Sequence, residues 1–265
     1  MNPPSDLAGV PTDAEVPRIV AELPGGDRAE AVWRNQLGGV TFCLPAIGSL
    51  PARHAKWQPP PSRSGADLSC GGERQSESVD LRVEAERLSW ASQFTAVPPV
   101  RDVVEVGREQ VLVTDTIRGT SAVLAPWTER PAAAAWALGA GLRTFHDALP
   151  VEACPWTWSS RDRIARVRDV RTRERLASAN PRIDRLVVCH GDACAPNTLL
   201  SDGVAAGHVD LGDLGVGDRW ADLAVLAMST VWNYGEGYEG EVYAGYGVDP
   251  DPARIAFFRD LWNAE

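Results

Sequence analysis

Residues 187–215, VVCHGDACAPNTLLSDGVAAGHVDLGDLG, constrain the fold of this chain more than any other segment. An apolar start typical of a buried strand leads into a turn, and SDG at 201–203 predicts a hairpin to a second short strand. Asp192, Asn197 and Asp210 fall at the ends of these strands, either as ordinary turn residues or as a site. Because carboxylate and amide oxygens are ligands of hard cations, two of these side chains can face a metal ion while the third faces a hydroxyl.

The first part of the chain predicts mainly strands. Short apolar or alternating runs are separated there by Gly and Pro, and one helix over 78–94 interrupts them. Leu81, Ala85 and Leu88 recur at helical spacing and form an inward stripe, which Glu84 borders.

The pattern changes to helices near residue 119. Helices are predicted over 129–149, 159–179, 218–232 and 251–264. The sequence therefore predicts a strand-rich lobe over residues 1–118 and a mainly helical lobe over residues 119–265.

Lys56 is the only lysine among 26 basic residues. It is either a chance survivor in an arginine-biased sequence or a residue kept as a compact cation for a phosphate. The segment 58–78 that follows is rich in Pro, Gly and Ser and predicts a surface loop, long enough to be either functional or simply mobile.

Composition restricts the function classes. The formal net charge of −10 argues against a general nucleic-acid binder, whereas an acidic surface suits a cationic small substrate or serves solubility. Five cysteines without a CxxC pair predict neither a zinc site nor a disulfide framework. We find neither a secretory leader nor a stretch of transmembrane length, so we expect a cytoplasmic protein that does not contact membranes.

The spacing from His190 to Asn197 is H-x-D-x-x-x-x-N, which resembles the catalytic loop of protein kinases. Thirteen residues after Asn197, the DLG at 210–212 stands where that fold carries its metal-binding Asp-Phe-Gly. The chain as a whole resembles the aminoglycoside phosphotransferases, in their kanamycin and streptomycin O-kinase branch. The matching segments cover most of residues 80–262: VEAERLSW, LGAGLRTFH, CPW, VVCHGDACAPN, VDLGDLGVGDRWADLA and YGVDPDPARIAFFRDL.

This resemblance implies an α+β, bilobal, protein-kinase-like fold. Its N-terminal lobe would hold a five-stranded antiparallel sheet and one helix, and its C-terminal lobe the catalytic loop and substrate site. The implied activity is the transfer of the γ-phosphate of ATP, or alternatively GTP, to a hydroxyl of an aminoglycoside of the 3'- or 3''-type. Mg²⁺ would be the metal cofactor, antibiotic resistance the outcome, and a monomer or homodimer the assembly.

The resemblance also implies residue roles. Asp192 would act as the catalytic base, and Asn197 and Asp210 would hold magnesium. Lys56 would bind the α- and β-phosphates, and Glu84 would pair with it. The adenine would meet the backbone at Thr116 and Ile117, whereas Gly38 and Gly39 occupy the nucleotide-loop position without its usual glycine pattern.

Four further residues near these motifs are expected to be structural. His190 is expected to hydrogen-bond rather than to act as a base, because Asp192 already fills that role. Arg219 and Asp222 are expected to form a stabilising pair behind the loop, and Cys194 is expected to be an inert packing residue.

The acceptor end departs from the family. Asp213 stands where relatives carry an arginine, and residues 161–176 are strongly basic where relatives have an acidic insert. A cationic acceptor needs carboxylates, for which the candidates are Asp213, Glu236, Glu239, Glu241, Asp260 and Glu265. Trp232 and Trp262 are either core residues or part of a substrate cleft.

Two alternatives stay open beside an aminoglycoside kinase. The altered acceptor residues favour a kinase-like phosphotransferase for another small hydroxylated metabolite. The anionic Asp213 and the long loop after Lys56 favour a nucleotide-binding protein with little catalysis, although the presence of a base argues against it.

Overall fold

The protein is described from a computed structural model, which describes residues 9–11, 14–35, 38–60 and 80–264. Residues 61–79, the larger part of the predicted loop, and Glu265 lie outside the described residues. The chain divides into two compact units. One takes the described residues up to Ser89 with Pro99–Thr116, and the other takes Trp90–Pro98 with the residues from Ile117 onward. The lobe limits at 118 and 119 stay a prediction.

The first unit contains a five-stranded antiparallel sheet in the order β1-β2-β3-β5-β4. Its elements are helix α1 (Arg18–Ala21), β1 (Glu30–Arg34), β2 (Val40–Leu44), β3 (Arg53–Gln58), most of helix α2 (Leu81–Ala91), β4 (Val100–Val106) and β5 (Glu109–Asp115). Alternation sends Val40, Phe42 and Leu44 into the core. Ala55 also enters that core, so the next residue of β3, Lys56, points to the opposite face.

Helix α2 has the inward stripe that its sequence predicted. Leu81, Ala85 and Leu88 are all buried, and so is Glu84 beside them. The side chain of Gln110 accepts from the Leu81 N–H at 2.9 Å and thereby satisfies one of the donors at the start of the helix.

The second unit is mainly helical. Its helices are α3 (Pro131–Ala148), α4 (Ser160–Arg166), α5 (Val170–Ala179), α6 (Trp220–Tyr234), α7 (Glu239–Tyr246) and α8 (Pro252–Ala264). Its strands are β6 (Thr120–Ser121), β7 (Leu186–Cys189), β8 (Thr198–Ser201), β9 (Val204–His208) and β10 (Gly215–Asp218). Helix α6 is buried continuously from Trp220 to Thr230, and α3, α7 and α8 pack against it. No helix in the described part of the chain combines the length and the apolar character that crossing a membrane requires.

The single helix predicted over 159–179 is wrong. Val167 is extended and ends α4, and the Asp169 carboxylate then accepts from the Thr172 N–H at 2.7 Å, which caps the start of α5. A carboxylate that binds a nearby backbone N–H competes with helix continuation, which explains the break. Val170, the first residue of α5, is 52% exposed. Helix α7 was not predicted at all.

The predicted hairpin joins β8 and β9. Asp202 and Gly203 both have positive φ, 55° and 82°, as a two-residue hairpin turn requires. Strand β7, which precedes the loop at 190–197, pairs antiparallel with β10, which follows the DLG segment. The two motifs of the opening segment are therefore held together by their flanking strands.

Candidate active site

Asp222 of α6 anchors the backbone of the loop that follows β7. Its carboxylate accepts from the N–H of His190 at 2.6 Å and from the N–H of Gly191 at 3.0 Å. Gly191 has φ of 89°, and a Cβ there would lie 2.3 Å from the carbonyl oxygen of Asp213. A glycine is required at this point, because any side chain would meet a backbone atom that cannot move aside.

The same carboxylate ends a buried chain of hydrogen bonds. The Nε2 of His146 lies 2.9 Å from Asp222, and its Nδ1 lies 3.0 Å from the hydroxyl of Tyr246. Burial alone would raise the pKa of Asp222, but the hydrogen bond and charge of His146 and the hydrogen bond from the Gly191 N–H lower it. Asp222 is therefore an ionised acceptor that fixes the loop. The expected Arg219–Asp222 pair is wrong, because Arg219 binds the Asp184 carboxylate at 2.7 Å.

Asp192 and Asn197 are joined across the turn. The Asn197 amide nitrogen donates to the Asp192 carbonyl at 2.9 Å and to its carboxylate at 3.1 Å. Burial, followed by the charge of Asp210, raises the pKa of Asp192. A carboxylate in this environment takes up a proton more readily than one in water.

Asp210 lies next to Asn197 because Val209 is held on both sides. The Val209 N–H donates to the Asn197 carbonyl at 3.0 Å, and the Val209 carbonyl lies 3.0 Å from the Nε2 of His190. Asp210 itself has φ of 64°, which is uncommon for a residue with a side chain and occurs often at functional sites.

These residues fit a hard divalent cation. The Asn197 nitrogen is directed at Asp192, so the atom that the amide can offer a cation is its oxygen. The repulsion between Asp192 and Asp210 would also be offset by a cation. Within the described residues no group of three or more His, Cys, Asp or Glu is arranged for a metal, so the fit depends on the amide of Asn197.

His190 and Cys194 have structural environments. His190 Nδ1 lies 3.4 Å from the Asp192 N–H, and this contact and the Nε2 bond to Val209 fit a single neutral tautomer with its proton on Nε2. Burial, followed by the charge of Asp192, raises the pKa of the Cys194 thiol well above its ordinary value. The thiolate is thus disfavoured at Cys194, as expected.

Lys56 and Glu84 meet in the first unit. The Nζ of Lys56 donates to the Glu84 carboxylate at 2.7 Å, and the two side chains are 17% and 5% exposed. Strand β3 supplies the lysine and α2 the glutamate, so the pair fixes the ammonium group on the face of the sheet opposite the core.

The other residues predicted to bind nucleotide make contacts within their own unit. The Thr116 N–H already donates to the Ala52 carbonyl at 3.2 Å, and Ile117 packs over Gly207. Gly39 donates to the Asn35 side chain at 2.8 Å in the turn before β2. Their roles toward a nucleotide stay predictions.

Three of the six predicted substrate carboxylates have arginine partners. The pairs are Asp213 with Arg163 at 3.3 Å, Glu239 with Arg259 at 2.5 Å, and Asp260 with Arg175 at 2.6 Å. Glu236 and Glu241 are exposed and make no ion pair with a described residue, while Glu265 lies outside the described residues. The sequence reasoning missed the three arginines and also Ser229, a buried polar residue in an otherwise apolar helix.

A loop of this kind, followed by a hairpin and a second aspartate, is typical of phosphotransferases with a protein-kinase-like fold, and the chain falls in that class. The sequence model of the phosphotransferase enzyme family matches residues 72–258. The chain belongs to the aminoglycoside phosphotransferase family.

Individual relatives agree with this placement. The chain is 32% identical over 223 residues to the aminoglycoside 3'-phosphotransferase of Streptomyces fradiae, covering 71% of this chain and 80% of that protein. It is 30% identical over 276 residues to an aminoglycoside 3'-phosphotransferase of Escherichia coli, covering 92% of this chain and 96% of that protein. The structure of aminoglycoside phosphotransferase APH(3'')-Id of Streptomyces rimosus in complex with ADP and streptomycin is similar, with a TM-score of 0.58, 27% identity and coverage of 86% and 92%. The predicted α+β, kinase-like fold is thereby confirmed.

Proposed function

We propose that this chain is an ATP-dependent O-phosphotransferase that transfers the γ-phosphate to a hydroxyl of an aminoglycoside antibiotic and so confers resistance. The observation that carries the proposal is the geometry of Asp192. Its carboxylate is held by Asn197 beside Asp210, on a loop anchored to buried Asp222, in a chain related over most of its length to enzymes of this activity.

In the proposed reaction Asp192 positions the acceptor hydroxyl and takes its proton. Burial raises the pKa of Asp192, so the carboxylate becomes a better proton acceptor as the oxygen attacks phosphorus. Asn197 keeps the carboxylate oriented through its two hydrogen bonds. The protein contributes little covalent chemistry, because phosphoryl transfer depends mainly on positioning the reactants and on stabilising charge.

The remaining proposed roles concern the nucleotide and its metal ion. Lys56, oriented by Glu84, would bind the α- and β-phosphates as a compact point charge. Asn197 and Asp210 would hold Mg²⁺, which when bound neutralises charge on the phosphate oxygens. The free thiols of the four described cysteines are consistent with a cytoplasmic enzyme.

A second candidate is a kinase of the same fold for another small hydroxylated metabolite. The observation that favours it is the pairing of Asp213, Glu239 and Asp260 with arginines, because a carboxylate already neutralised attracts an ammonium group less. The closed Lys56–Glu84 pair argues against a nucleotide-binding protein with little catalysis.

The test is an ATP-consumption assay with kanamycin, streptomycin and unrelated amino alcohols, with mass spectrometry of the acceptor. Asp192→Asn should lower kcat at least about a hundredfold, because a general base is removed. The matched control is Asp202→Asn, on the exposed hairpin turn, whose positive φ asparagine tolerates. An Asp192→Asn enzyme that works at the parental rate would refute the role of the base, and phosphorylation of amino alcohols alone would favour the second candidate.

A further inference from the structure

Two tryptophans meet at the ends of α6 and α8. The ring centroids of Trp232 and Trp262 are 5.3 Å apart with an interplanar angle of 40°. Both residues stay partly exposed, whereas Trp127, Trp158 and Trp220 are buried. The pair therefore presents indole surface to solvent that the core does not use.

Helix α6 brings this pair close to the catalytic loop. Ser229, fully buried, accepts from the N–H of Ala195 at 2.9 Å, three residues after Asp192. The Asn233 amide donates to the Ser229 carbonyl at 2.8 Å and fixes this turn of the helix. Trp232 follows Ser229 by three residues, so it lies on the same helix face about 4.5 Å further along the axis.

The charges around this part of the unit do not suit a polycation. The carboxylates of Asp213, Glu239 and Asp260 are each compensated by an arginine. Residues 161–185 also carry nine arginines against four acids, a local excess of positive charge in a chain of net −10. Binding ammonium groups at these three carboxylates would displace existing ion pairs. Among the described residues of the predicted set, only the exposed Glu236 and Glu241 could bind an ammonium group without such a loss, so an acceptor bound here needs a further source of binding energy.

We infer that Trp232 and Trp262 form the acceptor subsite, on whose indole faces a sugar or aminocyclitol ring with few ammonium groups binds. The inference rests on the proposed function, because it takes the acceptor to be a hydroxylated ring. An indole offers apolar surface to the ring C–H groups and attracts a cation placed over its face, so it binds such a ring without a carboxylate.

The test compares Trp232→Leu, Trp232→Phe and Trp262→Leu with the parent enzyme. Trp136→Leu is the matched control, because Trp136 is 48% exposed on α3. The acceptor KM should rise about tenfold in both leucine variants at the two sites and less in Trp232→Phe, which keeps an aromatic face. The KM for ATP should not change, and kcat should stay within about twofold. A merely structural role would instead change both KM values and the unfolding temperature.

Three results would overturn the inference. The acceptor KM could be unchanged in folded Trp232→Leu and Trp262→Leu enzymes, or it could rise equally in Trp136→Leu. Alternatively, raising the salt from about 0.05 M to about 0.5 M could raise the acceptor KM more than about tenfold, which would show that ion pairs carry the binding.

Direct acceptor binding, measured by calorimetry, separates this inference from the proposed function. If the parent phosphorylates aminoglycosides and the leucine variants match it, the inference fails and the function stands. If the parent binds the acceptor without phosphorylating it, and Trp232→Leu loses that binding, the function fails and the subsite stands. If the parent binds no acceptor of the panel, both fail.

Discussion

Replacing Asp222 should uncouple the catalytic loop from the core. Its carboxylate accepts from two backbone N–H groups, those of His190 and Gly191, and from the ring of His146. Asp222→Ala leaves all three donors buried without a partner. Asp222→Asn keeps one oxygen but turns an NH₂ group toward at least one donor.

The expected loss of unfolding free energy in each variant follows from the number of donors that lose their acceptor. Each buried donor without a partner costs about 1–3 kcal/mol, so Asp222→Ala should cost at least about 3 kcal/mol of unfolding free energy and Asp222→Asn about 2 kcal/mol. Since whole domains are stable by only about 5–15 kcal/mol, the asparagine variant is the one to purify. Its kcat should fall more than about tenfold, because the backbone that carries Asp192 is no longer fixed.

The stability that Asp222 contributes depends on pH in a definite direction. The folded-state pKa of Asp222 lies below the ordinary value of 3.8, so its contribution is complete above about pH 4 and is lost as the pH falls through the folded-state pKa. The difference in stability between the parent and Asp222→Asn should therefore be constant near neutral pH and narrow in acid.

Urea unfolding followed by tryptophan fluorescence measures these differences. The matched control is Asp147→Asn, an exposed residue paired with Arg143 and Arg185, which should cost less than about 1 kcal/mol. An Asp222→Asn protein within about 0.5 kcal/mol of the parent, with a normal kcat, would refute the reasoning.

Two further predictions concern the ion pair and the loop glycine. Lys56→Met should cost about 3 kcal/mol, because it removes the cation that binds the buried Glu84 carboxylate. Unfolding and nucleotide titration should show that the double variant with Glu84→Gln regains stability but not ATP affinity. Gly191→Ala should cost about 3 kcal/mol or more and lower kcat, because its Cβ meets the Asp213 carbonyl. Gly203→Ala, with similar positive φ but open space, should cost only about 1–2 kcal/mol, and equal losses in the two variants would exclude the clash.

Local patterns in the sequence predicted what neighbouring residues determine. The spacing of Leu81, Ala85 and Leu88 predicted both the buried face of α2 and the position of Glu84 beside it. The Ser-Asp-Gly sequence predicted the β8–β9 hairpin, since positive φ at Asp202 and Gly203 is a property of the turn itself. The break between α4 and α5 was missed because helical periodicity continues through a capping aspartate.

Long-range polar partners could not be predicted in the same way. Arg219 and Asp222 are three residues apart, which suggested a pair, but a buried carboxylate is satisfied best by donors that are themselves buried. The donors of Asp222 come from α3 and from the loop after β7. His146 on α3 is 76 residues away, and the nearest loop donor, Gly191, is 31 residues away. Only the fold determines which of them meet.

The contrast between Lys56 and Asp213 shows when an ion pair can be inferred from sequence. The chain has a single lysine, so Lys56 is the one lysine ammonium group with which Glu84 can pair. The two residues form the predicted ion pair. With 25 arginines and 36 acids, the partner of Asp213 is one of many, and Arg163 lies 50 residues away. Counting carboxylates near an acceptor site therefore overestimates its negative charge in an arginine-rich chain, because the arginines that cancel it come from elements distant in sequence. The charge left for an acceptor is a property of the folded unit, which is why the proposed acceptor subsite is based on the ring faces of Trp232 and Trp262.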